Sequence, residues 1–195
     1  MKVKNILVIF CVVFFFFSMA SSKKVIEKQD KYFIKNGIGY FINKYDNFFM
    51  KIYFDKNENG YIIEMKGKTE GWVAVGFGQT KYMKNAEIII GYIKDGKTFL
   101  EHHFATGNFK HESFEKLGVD DKSLELIDGY EKNGYTVIKF ERKLGLNNKY
   151  LKELKSGEKM KFMYAFGRTD NIRTIHKERG TMEIVLVQQQ YQLTK

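Results

Sequence analysis

Residues 71–78 read GWVAVGFG, an apolar run that begins and ends with glycine. Because both of its faces are apolar, we expect a central strand that is covered on both sides. Upstream, residues 48–54 alternate with a period of two, which predicts a strand with one buried face. Asn59-Gly60 then marks a turn, and residues 61–66 are predicted to return as the neighbouring strand.

Six further strands are predicted downstream, at residues 86–93, 98–104, 123–131, 135–141, 160–166 and 181–189. Asp95-Gly96 and Asn133-Gly134 each lie between two of these runs and are strong hairpin signals. Residues 107–122 are predicted to form a long loop between strands, with one helical turn expected at residues 112–117. About nine strands at short spacing predict an all-β fold, an antiparallel β-sandwich.

The N-terminus has the pattern of a signal peptide. Lys2 and Lys4 precede an unbroken apolar run at residues 6–17, and small residues at Ser18 and Ala20 favour cleavage after Ala20. Twelve apolar residues are too few to span a bilayer comfortably, although an uncleaved N-terminal anchor is the alternative. We therefore expect residues 1–20 to direct export to the periplasm or the medium.

The rest of the chain predicts a single domain. Residues 21–45 are charged and weakly patterned, which is typical of an N-terminal arm or one early strand. One domain is expected at residues 46–189, followed by a short tail at residues 190–195. No later stretch is long and apolar enough to span a membrane.

Cysteine usage and charge restrict the chemistry. The one cysteine, Cys11, lies within the predicted signal peptide, so the exported chain would hold no disulfide, thiolate metal site, Fe–S cluster or thioether-linked haem. The net charge of +10 comes mostly from scattered lysines. Such a charge is typical of proteins that bind nucleic acid, anionic lipid or an acidic redox partner, and it can also serve solubility alone. The predicted export argues against nucleic acid as the partner.

Several motifs occur in a fixed order along the chain. They are GWVAVGFG at residues 71–78, Met83 followed by AEIIIGYI at 86–93, HHFATGN at 102–108, TVIKFER at 136–142, MYAFGRTD at 163–170, and His176 ahead of Arg179-Gly180. With this series, residues 48–186 resemble a DOMON domain, the family named for the N-terminal region of dopamine β-monooxygenase. Each motif is weak alone, but the ordered set is specific.

The resemblance implies an immunoglobulin-like sandwich that binds a ligand, haem b or a sugar, between its sheets or at one end. In the cytochrome-type members a methionine and a histidine hold the iron, and by position these are Met83 and His176. Such ligation gives a six-coordinate iron that transfers electrons but has no open position at which oxygen or a substrate could react. Three basic residues near His176 suit the haem propionates: Arg168, Arg173 and Arg179.

Each of these residues also has a structural interpretation. Met83 could fill core space, and His176 could be a surface histidine. Trp72 is either a core residue or, at a sugar site, an exposed platform beside the ligand. A copper or zinc site at His102, His103 and His111 is disfavoured, because His102 and His103 must face opposite sides of one strand.

No catalytic motif is present, so we expect a binding protein and not an enzyme. The first hypothesis is an exported b-type cytochrome domain whose electron donor and acceptor are separate proteins. The alternatives are a module without redox activity that binds a sugar or another small molecule, and a structural or adhesive surface protein.

Overall fold

A computed structural model describes residues 29–187. The predicted signal peptide at residues 1–20 and the tail at 190–195 lie outside the described residues. Within them the chain forms twelve strands: β1 (Lys31–Lys35), β2 (Ile38–Ile42), β3 (Phe48–Asp55), β4 (Gly60–Gly67), β5 (Val73–Phe77), β6 (Glu87–Lys94), β7 (Lys97–Phe104), β8 (Glu112–Ser113), β9 (Leu124–Lys132), β10 (Tyr135–Lys143), β11 (Lys159–Phe166) and β12 (Glu178–Val185). This part of the chain contains no helix with the length and apolar character needed to cross a bilayer.

The strands form two six-stranded sheets. Sheet A has the order β1-β2-β3-β4-β10-β9, and sheet B has the order β12-β11-β5-β6-β7-β8. Every pairing between these strands is antiparallel. The predicted all-β antiparallel sandwich is confirmed.

Three strands add to the nine expected, namely β1, β2 and β8. Strands β1 and β2 form a hairpin within the segment expected to be an arm or one early strand. The short strand β8 pairs with the end of β7. A single turn follows it, in which the Leu117 N–H donates to the Ser113 carbonyl at 3.1 Å. The helical turn expected at residues 112–117 therefore begins only after a strand pairing.

Glycine and Asn/Asp make the hairpin turns, as expected for a chain without proline. Three two-residue loops have both residues in the left-handed region: Asn36-Gly37, Asp95-Gly96 and Asn133-Gly134. A positive φ at both positions is what a type I′ hairpin turn requires, and it suits this residue pair.

Strand β5 is buried on both faces, as its sequence predicts. Val73, Val75 and Phe77 point between the sheets into the main core, whose aromatic members include Phe48 and Phe162. Ala74 belongs to a different cluster on the outer face of sheet B. Because β5 lies between β11 and β6, its outer face forms the middle of that surface.

A buried polar cluster joins the two sheets at one end. Arg142 on β10 donates through Nη2 to Oε2 of Glu87 on β6 at 3.1 Å, and both side chains are buried. The ring of His102 lies between two carboxylates, with Nε2 3.0 Å from Glu87 and Nδ1 2.7 Å from Asp121. A ring with an acceptor at each nitrogen is held best as the doubly protonated cation.

The charges of this cluster set its pKa values. Burial alone would raise the pKa of Glu87, but the bond from His102 and the charge of Arg142 outweigh it and lower the pKa to about 2. Burial would also raise the pKa of Asp121, but the hydrogen bond from His102 and its charge lower this pKa to about 2. Burial would lower the pKa of His102, yet the two carboxylates raise it.

Replacing Glu87 is expected to destabilise the fold strongly. Glu87→Gln keeps the shape of the side chain but leaves the Arg142 cation buried without its counter-charge, which costs about 3–5 kcal/mol in the free energy of unfolding. Urea denaturation measures the loss. The matched control is Glu125→Gln, because Glu125 pairs with Lys143 at 2.8 Å on the surface, where little change is expected. Equal effects of the two substitutions would contradict this role for Glu87.

The same cluster predicts a stability maximum in mildly acidic solution. The contribution of Glu87 and Asp121 is present above their ordinary pKa values of 4.5 and 3.8, and it is lost as the pH falls toward about 2. The contribution of His102 is present below its ordinary pKa of 6.5 and is lost as the pH rises through its raised folded value. Urea denaturation across this pH range should show the free energy of unfolding falling on both sides of the maximum. Asp121→Asn should make both declines shallower. A wild-type stability that climbs steadily above pH 6.5 would contradict the assignment.

Candidate functional site

The outer face of sheet B carries a second apolar cluster, here called the outer cluster. Side chains alternate along each strand, so β5, β6 and β11 send one set of residues to this face and the other to the main core. The buried members are Trp72, Ala74, Ala86, Ile88, Ile90 and Ala105, and Met83, Tyr92, Met163, Ala165 and Ile172 pack against them. A sheet face that looked only onto water would be polar.

Met83 lies in the tight loop between β5 and β6. Its backbone is fixed at both ends, because its N–H donates to the Asn108 carbonyl at 3.5 Å and its carbonyl accepts from Ala86 at 3.0 Å. Tyr82 and Asn85 beside it have positive φ angles of 52° and 65°, which turn the chain sharply. The half-buried thioether is thereby directed onto the outer cluster.

His176 reaches the same cluster from the loop that precedes β12. Its ring lies edge-on to the Trp72 ring, with centroids 5.7 Å apart and an interplanar angle of 73°. Burial, and then the charge of Arg179, lower the pKa of His176. The imidazole is therefore neutral at physiological pH, with a lone pair available to a metal.

The three predicted arginines lie around this site and are exposed. Arg179 is close enough to His176 to affect its pKa, and Arg173 lines a neighbouring cavity. Arg168 follows Gly167, whose N–H donates to the Trp72 carbonyl at 2.9 Å. None of the three guanidinium groups forms an ion pair within residues 29–187, so each is available to an anionic ligand.

A cavity of about 750 Å³ opens beside the outer cluster. Its lining includes Tyr92, Glu101, His103, His111, Asp170 and Ile172. Tyr92 and Ile172 also pack against the outer cluster, so the cavity and the cluster are continuous. Met83 and His176 are not among the lining residues.

Several buried polar atoms of this region have no hydrogen-bond partner. They are Nε1 of Trp72, Oδ1 of Asn108 and Oδ1 of Asp170. Asn108 also holds Met83 through its carbonyl, and Asp170 lines the cavity. Buried polar atoms are nearly always satisfied, and three of the six unpartnered atoms within residues 29–187 lie in this region, where a ligand could satisfy them.

The strand parity predicted for the histidines is confirmed. His102 points between the sheets into the buried polar cluster, and His103 points to the opposite side, into the cavity. His111 lies beside His103, with the two Nδ1 atoms 3.0 Å apart. No group of three or more His, Cys, Asp or Glu side chains within residues 29–187 has the geometry of a metal site.

Comparison with known proteins assigns the family. The family model described as "DOMON domain" matches residues 44–167, more than half of the chain. The chain belongs to the DOMON family. The resemblance proposed from the ordered motifs is thus confirmed.

The Drosophila melanogaster protein MOXD1 homolog 1 is 23% identical to this DOMON protein over 180 residues, which cover 88% of this chain and 26% of that protein. MOXD1 homolog 2 of the same organism is 32% identical over 84 residues, which cover 42% of this chain and 10% of that protein. The chain thus spans about a quarter or less of the length of these curated relatives.

Two solved structures share the fold. The cytochrome b domain of pyranose dehydrogenase from Coprinopsis cinerea superposes with a TM-score of 0.59 at 13% identity, covering 80% of this chain and 86% of that one. The cytochrome domain of Myriococcum thermophilum cellobiose dehydrogenase gives a TM-score of 0.56 at 13% identity, covering 82% and 89%. At this identity the similarity establishes the fold.

Sequence reasoning missed three polar residues of this region: Tyr92, Glu101 and Asp170. Tyr92 and Glu101 share a face with His103 across the β6–β7 pairing, so strand parity could have identified them. Asp170 comes from the loop after β11, and no pattern in the sequence indicates which loop covers the sheet.

The contact between Gly167 and the indole of Trp72 gives a direct test of this site. A Cβ atom at position 167 would lie 2.1 Å from Nε1 of Trp72, so Gly167→Ala must displace the ring that faces His176. Overpacking of this kind costs about 1–3 kcal/mol. Because the chain has one tryptophan, its fluorescence should shift along with the loss of stability.

The control for Gly167→Ala is Gly107→Ala. A Cβ atom there would meet only Cβ of Lys110, at an ordinary 3.7 Å, and should leave fluorescence and stability unchanged. An unaltered emission spectrum in Gly167→Ala would show that the indole is not held against this glycine.

Proposed function

We propose that this DOMON protein is an exported, haem b-binding electron-transfer domain in which Met83 and His176 are the axial ligands. The observation that carries the proposal is that two loops lie over one surface, the outer cluster. Met83 and His176 are 93 residues apart, yet one packs on the outer cluster and the other on Trp72, a member of that cluster. These are the residue types that ligate iron in b-type electron carriers.

The residues of the outer face fit a porphyrin chemically. A thioether and a neutral imidazole are suitable donors, and the floor between them is apolar, as the faces of a porphyrin require. The unpartnered Nε1 of Trp72 and Oδ1 of Asn108 lie beside the two donors. Arg168, Arg173 and Arg179, which form no ion pair within residues 29–187, supply guanidinium groups for two propionates.

Haem held by two protein ligands supplies one-electron transfer, with no coordination position open to oxygen or substrate. The role of the chain is to hold both ligands and to exclude water. The left-handed residues that flank Met83 fix the thioether loop. The edge-on contact with Trp72 orients the His176 ring, and the apolar floor lowers the local dielectric, which tunes the potential.

The proposal includes no catalytic step by this chain. Its electron donor and acceptor would be separate proteins. The net charge of +10, which becomes +8 when Lys2 and Lys4 are removed with the signal peptide, favours a partner with an acidic surface. Export is supported by the charged, apolar and small-residue pattern of residues 1–20. The burial of Trp72, which is 4% exposed, disfavours the alternative in which this residue is a platform for a sugar.

The absorption spectrum tests this proposal. Protein made in a haem-sufficient host should show a Soret band and, after dithionite, the sharp α and β bands of six-coordinate haem. Met83→Leu keeps the side-chain volume but removes the thioether, and His176→Gln removes the imidazole. Both variants should lose the six-coordinate spectrum, because each axial ligand supplies one of the two bonds from the protein.

The matched controls are Met182→Leu and His111→Gln. Met182 packs on the main core between the sheets, and His111 lies in the neighbouring cavity, so neither contacts the outer cluster directly. Both should retain the wild-type spectrum. A colourless wild-type protein that also fails to take up added haemin would exclude the proposed function.

A further inference from the structure

Two histidine rings face each other in the cavity beside the outer cluster. Nδ1 of His103, on β7, lies 3.0 Å from Nδ1 of His111, in the loop before β8, and the ring centroids are 4.8 Å apart at 76°. Antiparallel pairing of β8 with β7 produces this approach, since it returns the chain directly over His103.

Glu101 fixes the orientation of the His103 ring. Its Oε2 lies 3.0 Å from Nε2 of His103, and its Oε1 accepts a hydrogen bond from the Tyr92 hydroxyl at 2.9 Å. A carboxylate at Nε2 favours the tautomer with its proton there, and the lone pair of Nδ1 then points toward His111.

His111 completes the pair geometrically. The contact between the two Nδ1 atoms is a hydrogen bond, so a single proton lies between them, carried by one ring and accepted by the other. Removal of that proton would leave two lone pairs directed at one point.

We propose that His103 and His111 bind one divalent transition-metal ion, copper(II) or zinc(II), through their Nδ1 atoms, with Glu101 as the positioning residue. Nitrogen ligands at about 2.0–2.1 Å from a shared ion are about 2.8–3.4 Å apart for bond angles of 90–110°. The observed separation of 3.0 Å falls in this range. A histidine that ligates a metal typically donates its other N–H to a carboxylate, as His103 does to Glu101.

The remaining coordination positions face the cavity. Because no third His, Cys, Asp or Glu side chain of residues 29–187 converges with the pair, water or a small ligand must complete the coordination. The cavity of about 750 Å³ has room for it, and Oδ1 of Asp170 is a buried acceptor in the same cavity without a partner. Two imidazoles with open positions should bind copper(II) more tightly than zinc(II).

This site is distinct from the proposed haem ligands. Met83 and His176 do not line the cavity, although His176 is near enough to His111 for their charges to interact. The inference therefore does not rest on haem binding, and the two proposals can fail separately.

Titration with Cu²⁺ and with Zn²⁺ tests the proposal on the full-length, haem-free chain. Wild-type protein should take up one equivalent by calorimetry, and the Cu²⁺ complex should show nitrogen hyperfine structure in its EPR spectrum. His111→Gln should lose that equivalent and its nitrogen signal. Glu101→Gln should keep the nitrogen signal while its affinity falls about 10–100-fold, as for other residues that orient a ligand.

The control is Glu125→Gln, which removes a surface carboxylate that does not line the cavity and should leave metal uptake unchanged. Thermal melting confirms that each variant is folded, and the partly exposed His111 is the site least disturbed by substitution. The proposal is overturned if wild-type protein takes up no stoichiometric metal, or if His111→Gln binds it as tightly as wild-type.

Discussion

Strand β5 must be covered on both of its faces, and the rest of the structure follows from this requirement. Its inner residues complete the core between the sheets, and its outer residues would face water if nothing else covered them. Burial of apolar surface is the main favourable term in folding, so the loops after β5 and β11 gain free energy by packing on that outer face. The loops that carry Met83 and His176 are thus held by the same force that holds the core.

The two faces of sheet B consequently have different roles. The inner face is filled, and its polar groups at one end are fully paired in the cluster of Glu87, His102, Arg142 and Asp121. The outer face of sheet B retains unpartnered polar atoms, a cavity, and two histidines whose pKa values are lowered, His111 and His176. A packed inner face with fully paired polar groups can hold the residues of the outer face in fixed positions, which preorganises a site there.

Local patterns made most of the fold predictable. Strands β3 to β7 follow from period two, from continuous apolar runs and from the Asx-Gly turns that separate them. Strand β1 was harder to recognise, because it lies at the edge of sheet A, where most of its side chains are exposed and no alternation results. Strand β8 is only two residues long, and its pairing is decided by tertiary contacts.

The site was predictable only in part. The ordered motifs indicated Met83 and His176, but the contact of His176 with Trp72 depends on which loop covers which face. Strand parity correctly separated His102 from His103. It could not show that His111 returns to the side of His103, since that approach is produced by β8 across a loop of irregular structure.

The absence of proline, noted above as a matter of turn chemistry, also has a kinetic consequence. Isomerisation of X–Pro bonds takes tens to hundreds of seconds and often limits the refolding of small domains. This chain cannot be delayed in that way, and its hairpins can close in microseconds. Its slow step must instead be the closure of long loops, such as those that bring β10 to β4 and β11 to β5. Folding of this chain is thereby independent of prolyl isomerases.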